Sequence, residues 1–331
     1  TIDFDNISIS GDGPVLKQGC ELTLTGSYKK NSAGAAFYVG ANGDYIIHNK
    51  ANITTVGNNY LYYRKNDAKD ATVLFEQEAG ELTAGFELTA KDTVCLKGGT
   101  INVRGFGKGG HGHIEITDGI WNGQLSGIKK IDISGGEVKY KAEKTDDVTA
   151  IRESEEVSIS GGKIYAENTN PSGRAFAILM SDKTKLSLSD NIDISAAGKN
   201  TYGSIYYGYS AQSCATIVAV NLKTINDTFK FVVSDLAMKA SSSLKNWIKG
   251  SSGNMKTLVE GIHLSIVNHN SDKGYADQYK SYEARAVDNY IRIMDPKDES
   301  SLIPAGNIKS AEIQLPSDPE KYQVTITYDK T

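Results

Sequence analysis

One short phrase recurs along this chain, and it constrains the fold more than any other feature of the sequence. In each copy, two adjacent turn-forming residues separate two short runs of alternating apolar and polar residues. The pairs are Gly98-Gly99, Asp118-Gly119, Gly135-Gly136, Gly161-Gly162 and Asp190-Asn191, at separations of 20, 17, 26 and 29 residues. Because Gly, Asp and Asn best tolerate left-handed backbone angles, each pair predicts a sharp bend between two β-strands.

A strand, a bend and a strand that return every 17 to 29 residues are typical of a solenoid. No helical pattern of roughly 10 to 15 residues separates the copies, which argues against βαβ units. The sequence therefore predicts an all-β fold, a right-handed parallel β-helix (a β-solenoid) whose inward aliphatic residues form a continuous ladder. An antiparallel sandwich with glycine-rich hairpins is the alternative. It would explain the alternation but not the repeated phrase.

The regularity of the repeat divides the chain into two parts. Residues 1–225 are predicted to form the parallel β-helix. Residues 226–331 change character, with apolar spacing that predicts one short helix around Leu236 to Ile248, ending at Gly250, followed by strand-like segments. We expect this second part to form further β-helix coils, a cap or a small appended β domain, because an uncapped solenoid end would expose edges competent to pair.

Composition and charge narrow the classes of partner. The net charge is −4 and there is no basic block, so nucleic acid is not an expected partner. No apolar run approaches the roughly 18 residues that a membrane span needs. The chain starts at Thr1 without Met or a signal peptide, so we expect a mature form from which an export signal has been removed.

The segment from Ile133 to Asn168 holds two copies of "ISGG" around the turn "TDDVTAI". It resembles a family of bacterial secreted carbohydrate-binding proteins with a pectate-lyase-like β-helix, and the resemblance extends over residues 94–198. It implies a right-handed parallel β-helix, secretion, polysaccharide binding and calcium in the Asp-rich turns. By the same resemblance Asp146 and Asp147 are candidate calcium ligands. The turn lacks the family's glycine, and the next copy, "NPSGRAFAI", has no acidic residue.

Aromatic side chains are candidate surfaces on which sugar rings stack, because tyrosine is amphipathic and loses little side-chain entropy on binding. The segment "TYGSIYYGYSAQS" supplies Tyr202, Tyr206, Tyr207 and Tyr209, and Trp121 stands two residues past a corner. Two further clusters are Tyr60, Tyr62 and Tyr63, and Tyr275, Tyr279 and Tyr282. The alternative is that these rings fill or cap the solenoid core.

Charged residues near the corners are candidate contacts for acidic sugars and candidate catalytic groups. Arg152 and Arg174 could each neutralise a sugar carboxylate, and the alternative is a surface arginine paired with a nearby glutamate. Asp146 and Asp147 are adjacent and would point to opposite faces of a strand, which does not suit the paired carboxyl groups of a glycosidase. The glycine-rich segment around His111 and His113 predicts a turn rather than a catalytic centre.

These observations predict a secreted or cell-surface protein, monomeric, that binds polysaccharide without cleaving it and has calcium as a candidate cofactor. Two other classes of function remain open at this point. One is a polysaccharide lyase or hydrolase that acts on acidic glycans. The other is a structural adhesin that contacts protein partners through its flat sides.

Overall fold

The chain is built almost entirely of β-strands in the computed structural model. The structure describes residues 1–57, 59–107, 112–181, 183–208, 216–239, 248–250, 262–268, 276–287, 290–297, 308–314 and 323–328. Within these ranges, no helix has both the length and the apolar character that crossing a membrane requires.

The strands follow one another closely, and the few helical segments are short. The first half contains β1 (Ile2–Ile9), β2 (Val15–Leu16), β3 (Glu21–Lys30), β4 (Phe37–Val39), β5 (Asp44–Asn49), β6 (Asn52–Thr55), β7 (Tyr62–Arg64), a 3₁₀ turn (Asn66–Ala68), β8 (Thr72–Gln77), β9 (Glu81–Phe86), β10 (Thr93–Leu96), β11 (Thr100–Phe106), β12 (His113–Ile116), β13 (Ile120–Asn122), β14 (Leu125–Ser126), β15 (Lys130–Ile133), β16 (Glu137–Ala142) and β17 (Val148–Arg152). The second half contains β18 (Glu156–Ile159), β19 (Lys163–Asn168), β20 (Ala175–Met180), β21 (Lys185–Gly198), β22 (Tyr202–Tyr207), β23 (Thr216–Ile225), β24 (Lys230–Ser234), α1 (Asp235–Lys239), β25 (Ile248–Gly250), β26 (His263–Val267), a 3₁₀ turn (Ala276–Tyr279), β27 (Glu283–Val287), β28 (Tyr290–Met294), β29 (Ile308–Gln314) and β30 (Gln323–Tyr328).

Strands of successive coils pair in parallel and form the faces of a β-helix. The first face runs from the start of β3 through β5, β8, β10, β12, β15, β18 and β21 to β23 and β25. The second face runs from the end of β3 through β6, β9, β11, β13, β16 and β19 to the end of β21. The third face consists of two separate sheets, β2-β4-β7 and β14-β17-β20-β22-β24-β26. The predicted all-β parallel solenoid is confirmed, and the antiparallel sandwich is not what these strands form.

The repeated glycines form the corner between the first and second faces. Gly99, Gly119, Gly136 and Gly162 all have positive φ, between +67° and +85°. At each of these corners the backbone also approaches the corner of the preceding coil, so that a Cβ atom would lie within 2.8 Å of a backbone oxygen. Two separate causes therefore require glycine at this corner position: the positive backbone angle and the close stacking of successive coils. In the fifth copy the left-handed residue is Asp190, the first of its pair, with φ of +53°.

The core consists of ladders in which each coil contributes one residue to each inward column. On the second face, one column contains Leu82, Ile101, Trp121, Val138 and Ile164, which pair in register and are all fully buried. Trp121 also stacks on Phe86 and Phe106, with ring centroids 5.9 and 6.4 Å apart. This corrects the expectation that Trp121 offers a ring to a ligand, because its side chain is fully buried inside the solenoid.

The parallel pairing continues past residue 225 and then gives way to antiparallel strands. β24 and β26 extend the third face, and β25 extends the first. β28 then pairs antiparallel with both β25 and β27, and β29 pairs antiparallel with β30. The predicted helix begins as expected at α1, but its predicted end is wrong, because Ile248 belongs to β25 and pairs with Ile217 of the preceding coil. Residues 240–247 lie outside the described part of the chain.

Candidate functional site

A column of apolar and aromatic side chains, exposed at Val15 and Tyr63 and partly exposed at Tyr38, lies on the small sheet β2-β4-β7 of the third face. Val15, Tyr38 and Tyr63 are register partners on consecutive coils, so their side chains stack along the solenoid axis. Tyr63 remains 46% exposed. The rings of Tyr38 and Tyr63 meet edge to face, with centroids 6.3 Å apart. This column gives the solenoid an aromatic surface at its N-terminal end.

The tyrosine column forms one wall of a cleft of about 320 Å³. The cleft is lined by Gly34, Ala35, Tyr38, Asn59, Tyr60 and Tyr63. Tyr60 reaches it from the turn before β7 and packs over Gly85 and Gly107, where a Cβ atom would lie only 3.0 to 3.1 Å from the tyrosine side chain. The volume of the cleft lies at the lower end of the range for small-molecule sites, which have volumes of roughly 300 to 1,000 Å³. We call this feature the tyrosine cleft.

The loop that forms the floor of the tyrosine cleft is held by a fully buried lysine and by an asparagine. Lys30 points inward, and its ammonium donates hydrogen bonds to the carbonyl oxygens of Gly11, Ser32 and Ala33. Asn59 donates from Nδ2 to the Ser32 carbonyl at 2.9 Å and accepts from the Gly34 amide at 3.3 Å. These bonds satisfy the buried ammonium and fix the backbone on which the tyrosine rings rest.

The strand that carries Tyr63 is anchored from below by a buried ion pair. Arg64, the next residue on β7, contacts the carboxylate of Asp92. Asp92 also accepts hydrogen bonds from the amide of Val73 at 3.0 Å and from the amide and hydroxyl of Thr89 at 2.7 and 3.1 Å. The Asp92 side chain is fully buried, and its network joins β7, β8 and the turn before β10.

The predicted tyrosine cluster of β22 does not form such a surface. Tyr206 and Tyr207 are each only 2% exposed, whereas Tyr202 on the same strand is 41% exposed. Tyr207 belongs to the main core, and the ring of Tyr206 stacks on Phe176 at 4.3 Å. Burial raises the pKa of the Tyr206 phenol above its usual value. The expected stacking role of Tyr206 and Tyr207 is thus corrected, since their rings are already covered. Tyr209 lies outside the described residues.

Two of the predicted site residues, Arg174 and Asp147, bind each other. Nε and Nη2 of Arg174 donate to the two carboxylate oxygens of Asp147 at 2.7 and 2.9 Å. The guanidinium also lies over the rings of Phe176 and Tyr206, 5.6 and 5.2 Å from their centroids. Arg174 is therefore placed by a bidentate carboxylate and two aromatic faces, which is a structural role and leaves it little capacity for an acidic sugar.

The Asp-rich turn does not fit a calcium site as it stands. Both oxygens of Asp147 are engaged by Arg174, and Asp146 is exposed, with its backbone carbonyl accepting a bond from Asn168. Calcium takes six to eight oxygen ligands, usually including several carboxylates. The sequence pattern placed two carboxylates side by side, but the register between coils puts an arginine against one of them.

We expect Asp147→Ala to lower the free energy of unfolding by about 1.5 to 3 kcal/mol, since it removes two charge-assisted hydrogen bonds from a half-buried arginine. Asp146→Ala is the matched control, because the adjacent carboxylate is exposed and its loss should change stability by less than about 0.5 kcal/mol. Urea unfolding of the two variants measures both values. Equal effects at the two positions would contradict this assignment.

Arg152 lies near a corner, as predicted, and is paired. Its Nε lies 3.2 Å from a carboxylate oxygen of Glu153, the next residue in the chain. The arginine is 40% exposed, and a solvent-exposed ion pair of this kind contributes little to stability. Arg152 is thus a surface arginine paired with a glutamate, which was the alternative to a contact with an acidic sugar.

The outward side of the first face carries a row of ionisable side chains, one per coil. In register along the solenoid stand His48, Glu76, Cys95, Glu115 and Asp132. Burial, together with the charges of Glu115 and Glu76, raises the pKa of the Cys95 thiol to about 12. Burial opposes the charged form of His48, but hydrogen bonds to Glu21 and Glu78, together with the charges of Glu76 and Glu78, raise the pKa of the imidazole. This row is not apparent from the sequence alone, because its members come from five different coils.

Sequence reasoning also missed Tyr38, which stands alone between apolar residues. The signal that could have found it is the alignment of coils: the segments "AFYVG" and "LYYRK" superpose Tyr38 on Tyr63. The cluster Tyr60, Tyr62 and Tyr63 was recognised, and the structure divides it: Tyr60 and Tyr63 reach the cleft, while Tyr62 is buried in the core.

Comparison with family models, with curated proteins and with solved structures found no match to this chain. The geometry therefore has to carry the functional argument. The tyrosine cleft can offer flat aromatic faces, phenolic hydroxyls and backbone groups to a ligand. None of its six lining residues carries a carboxylate or an imidazole.

Proposed function

We propose that this protein binds polysaccharide through the tyrosine cleft and does not cleave it. The observation that carries the proposal is the column of the exposed Tyr63 and the partly exposed Tyr38 beside Tyr60, in a cleft of about 320 Å³. Sugar rings present an apolar face to an aromatic ring and hydroxyl groups at their edge. A tyrosine matches both, because it has an apolar body and a polar tip and is ordered at little entropic cost.

Binding without cleavage is favoured by the chemistry of the lining. Glycoside hydrolysis usually needs two carboxyl groups placed about 5 to 10 Å apart across the scissile bond. The lining consists of two small residues, one asparagine and three tyrosines. The Asn59 side chain is also occupied in holding the loop. The proposal includes secretion or attachment at a cell surface, where the lateral faces of a β-helix can meet polymers in the medium. It also includes a monomeric state.

We expect Tyr63→Ala to weaken polysaccharide binding about 30-fold, which corresponds to the roughly 2 kcal/mol typical of a central aromatic contact. Tyr38→Ala should have a similar effect. Tyr202→Ala is the matched control, because it removes an equally exposed tyrosine from a distant coil. Affinity electrophoresis against a panel of neutral and acidic polysaccharides, with calcium and then with chelator, measures these effects.

Two outcomes would refute the proposal. One is a wild-type protein that is retarded by none of the polysaccharides under either condition. The other is binding that survives Tyr63→Ala and Tyr38→Ala but is lost in Tyr202→Ala. Release of new reducing ends or of unsaturated products by the wild-type protein would instead identify an enzyme.

A further inference from the structure

Four ionisable side chains from three consecutive coils converge on the outward side of the first face. His48 on β5 is the register partner of Glu76 on β8, and Glu78 follows two residues later, just past the end of that strand. Glu21 opens β3 on the preceding coil. Residue 77 points inward between the two glutamates, so Glu76 and Glu78 both face outward. The coil register, and not the local sequence, brings these groups together.

The imidazole of His48 stands between carboxylates on both of its edges. Nδ1 lies 2.8 Å from Oε2 of Glu76 and 3.1 Å from Oε1 of Glu78. Nε2 lies 3.2 Å from Oε1 of Glu21. One ligand atom from each of His48, Glu76 and Glu78 can be chosen so that all lie within 4.8 Å of one another, an arrangement found at no other place in the described part of the chain.

The contact with Glu21 gives the histidine a defined orientation. A metal-ligating histidine usually donates its second ring N–H to a carboxylate or carbonyl, which fixes the tautomer and leaves the other nitrogen free to coordinate. Without a metal, both ring nitrogens can donate to these carboxylates. A metal ion would displace the proton from Nδ1, while the proton on Nε2, facing Glu21, would keep the ring in place and leave the lone pair of Nδ1 directed at the space between Glu76 and Glu78.

Two lysines balance the charge of the cluster without blocking it. Lys97 contacts Oε1 of Glu76, and Lys50 lies 3.1 Å from Oε2 of Glu78. Each carboxylate therefore directs one oxygen at a lysine and the other at His48. Both lysines are about half exposed, at 47% and 49% of their side chains, so each can adjust its position toward solvent.

We propose that His48, Glu76 and Glu78 form a binding site for a divalent transition-metal ion such as Zn²⁺, with Glu21 as the positioning residue. An imidazole with two carboxylates suits Zn²⁺, Cu²⁺ or Ni²⁺, whereas Ca²⁺ takes oxygen ligands only. Three protein ligands leave a coordination position for water. The ion would link two consecutive coils near the N-terminal end, on a different face from the tyrosine cleft, so this inference is independent of the proposed function.

The test is titration calorimetry of the full chain with Zn²⁺ alone. We expect one saturable site in the wild-type protein, no saturable binding in His48→Gln, and an affinity lowered about 10- to 100-fold in Glu21→Gln. Glu78→Gln should weaken binding without changing the fold, because this side chain is partly exposed. Ca²⁺ at the same concentration should not compete.

The matched control is His113→Gln. His113 lies on the same face and contacts Asp132 at 2.7 Å, but it belongs to no group of three metal-ligating side chains among the described residues. Its replacement should leave Zn²⁺ binding unchanged. Thermal unfolding provides a second readout: Zn²⁺ should raise the Tm of the wild-type and His113→Gln proteins but not that of His48→Gln. Absence of saturable binding in the wild-type protein, or wild-type binding by His48→Gln, would overturn the proposal.

Discussion

Gly162→Ala is expected to abolish folding of the solenoid or to lower its free energy of unfolding by more than about 4 kcal/mol. Gly162 has φ of +76°, where an alanine costs roughly 1 to 2 kcal/mol. The larger cost is steric. The new Cβ would lie 2.6 Å from the carbonyl oxygen of Gly135 and 2.8 Å from that of Gly136, both on the preceding coil.

Neither of these contacts can be relieved by moving a side chain, because the atoms belong to the backbone. The carbonyl of Gly136 also accepts a hydrogen bond from Lys163 at 2.9 Å, which joins the two coils at this corner. A shift that makes room for the methyl group would therefore break the ladder on both sides of the corner. Far-UV circular dichroism and urea unfolding of the purified variant measure the effect.

Gly127→Ala separates the two causes. Gly127 has nearly the same backbone angle, with φ of +65°, but no atom lies within 4 Å of the position that a Cβ would take. We expect it to cost only the 1 to 2 kcal/mol of the left-handed conformation, roughly. If Gly127→Ala and Gly162→Ala are equally destabilising, close stacking of the corners is not what requires glycine in the repeated phrase.

Asp92→Ala is expected to lower the free energy of unfolding by about 3 to 5 kcal/mol, the cost of leaving one partner of a buried ion pair uncompensated. The guanidinium of Arg64 would lose its counter-charge in a region where the aspartate is fully buried. The amide and hydroxyl of Thr89 and the amide of Val73 would each lose their acceptor. The effect should extend to the tyrosine cleft, since Arg64 follows Tyr63 on β7.

Asp70→Ala is the matched control, because the Asp70 carboxylate pairs with Lys91 at 2.9 Å on the exposed surface. Its loss should change stability by less than about 1 kcal/mol. A double variant with Arg64→Met and Asp92→Ala should recover part of the loss, since it removes the buried charge together with its partner. Urea unfolding measures all three. An Asp92→Ala protein as stable as Asp70→Ala would show that the buried pair contributes nothing.

The coil architecture was predictable because it depends on residues that are close together in the sequence. The pairs Gly98-Gly99, Asp118-Gly119, Gly135-Gly136 and Gly161-Gly162 bend the chain by their own backbone freedom, and the alternation on either side defines strands without reference to distant residues. The inward position of Trp121 could also have been predicted. It stands two residues past its corner glycine, as do Ile101, Val138 and Ile164 past theirs.

The burial of Tyr206 and the pairing of Arg174 with Asp147 could not be predicted in the same way. Residues 147 and 174 are 27 positions apart, and the coils between the corners differ in length. An insertion or deletion of one residue in a coil would change which side chains meet on the next one. The sequence of a segment therefore located candidate tyrosines and charged residues, but it did not show which of them would be buried or paired.

By itself the sequence determined that this chain bends at its glycine pairs, stacks its coils in parallel and fills most of its interior with aliphatic and aromatic residues. Only the tertiary structure decided that Tyr38 and Tyr63 share a cleft and that His48 meets Glu76 and Glu78. The physical reason is that bends and alternation depend on neighbours along the chain, whereas each of these contacts depends on the register between coils some 25 to 30 residues apart.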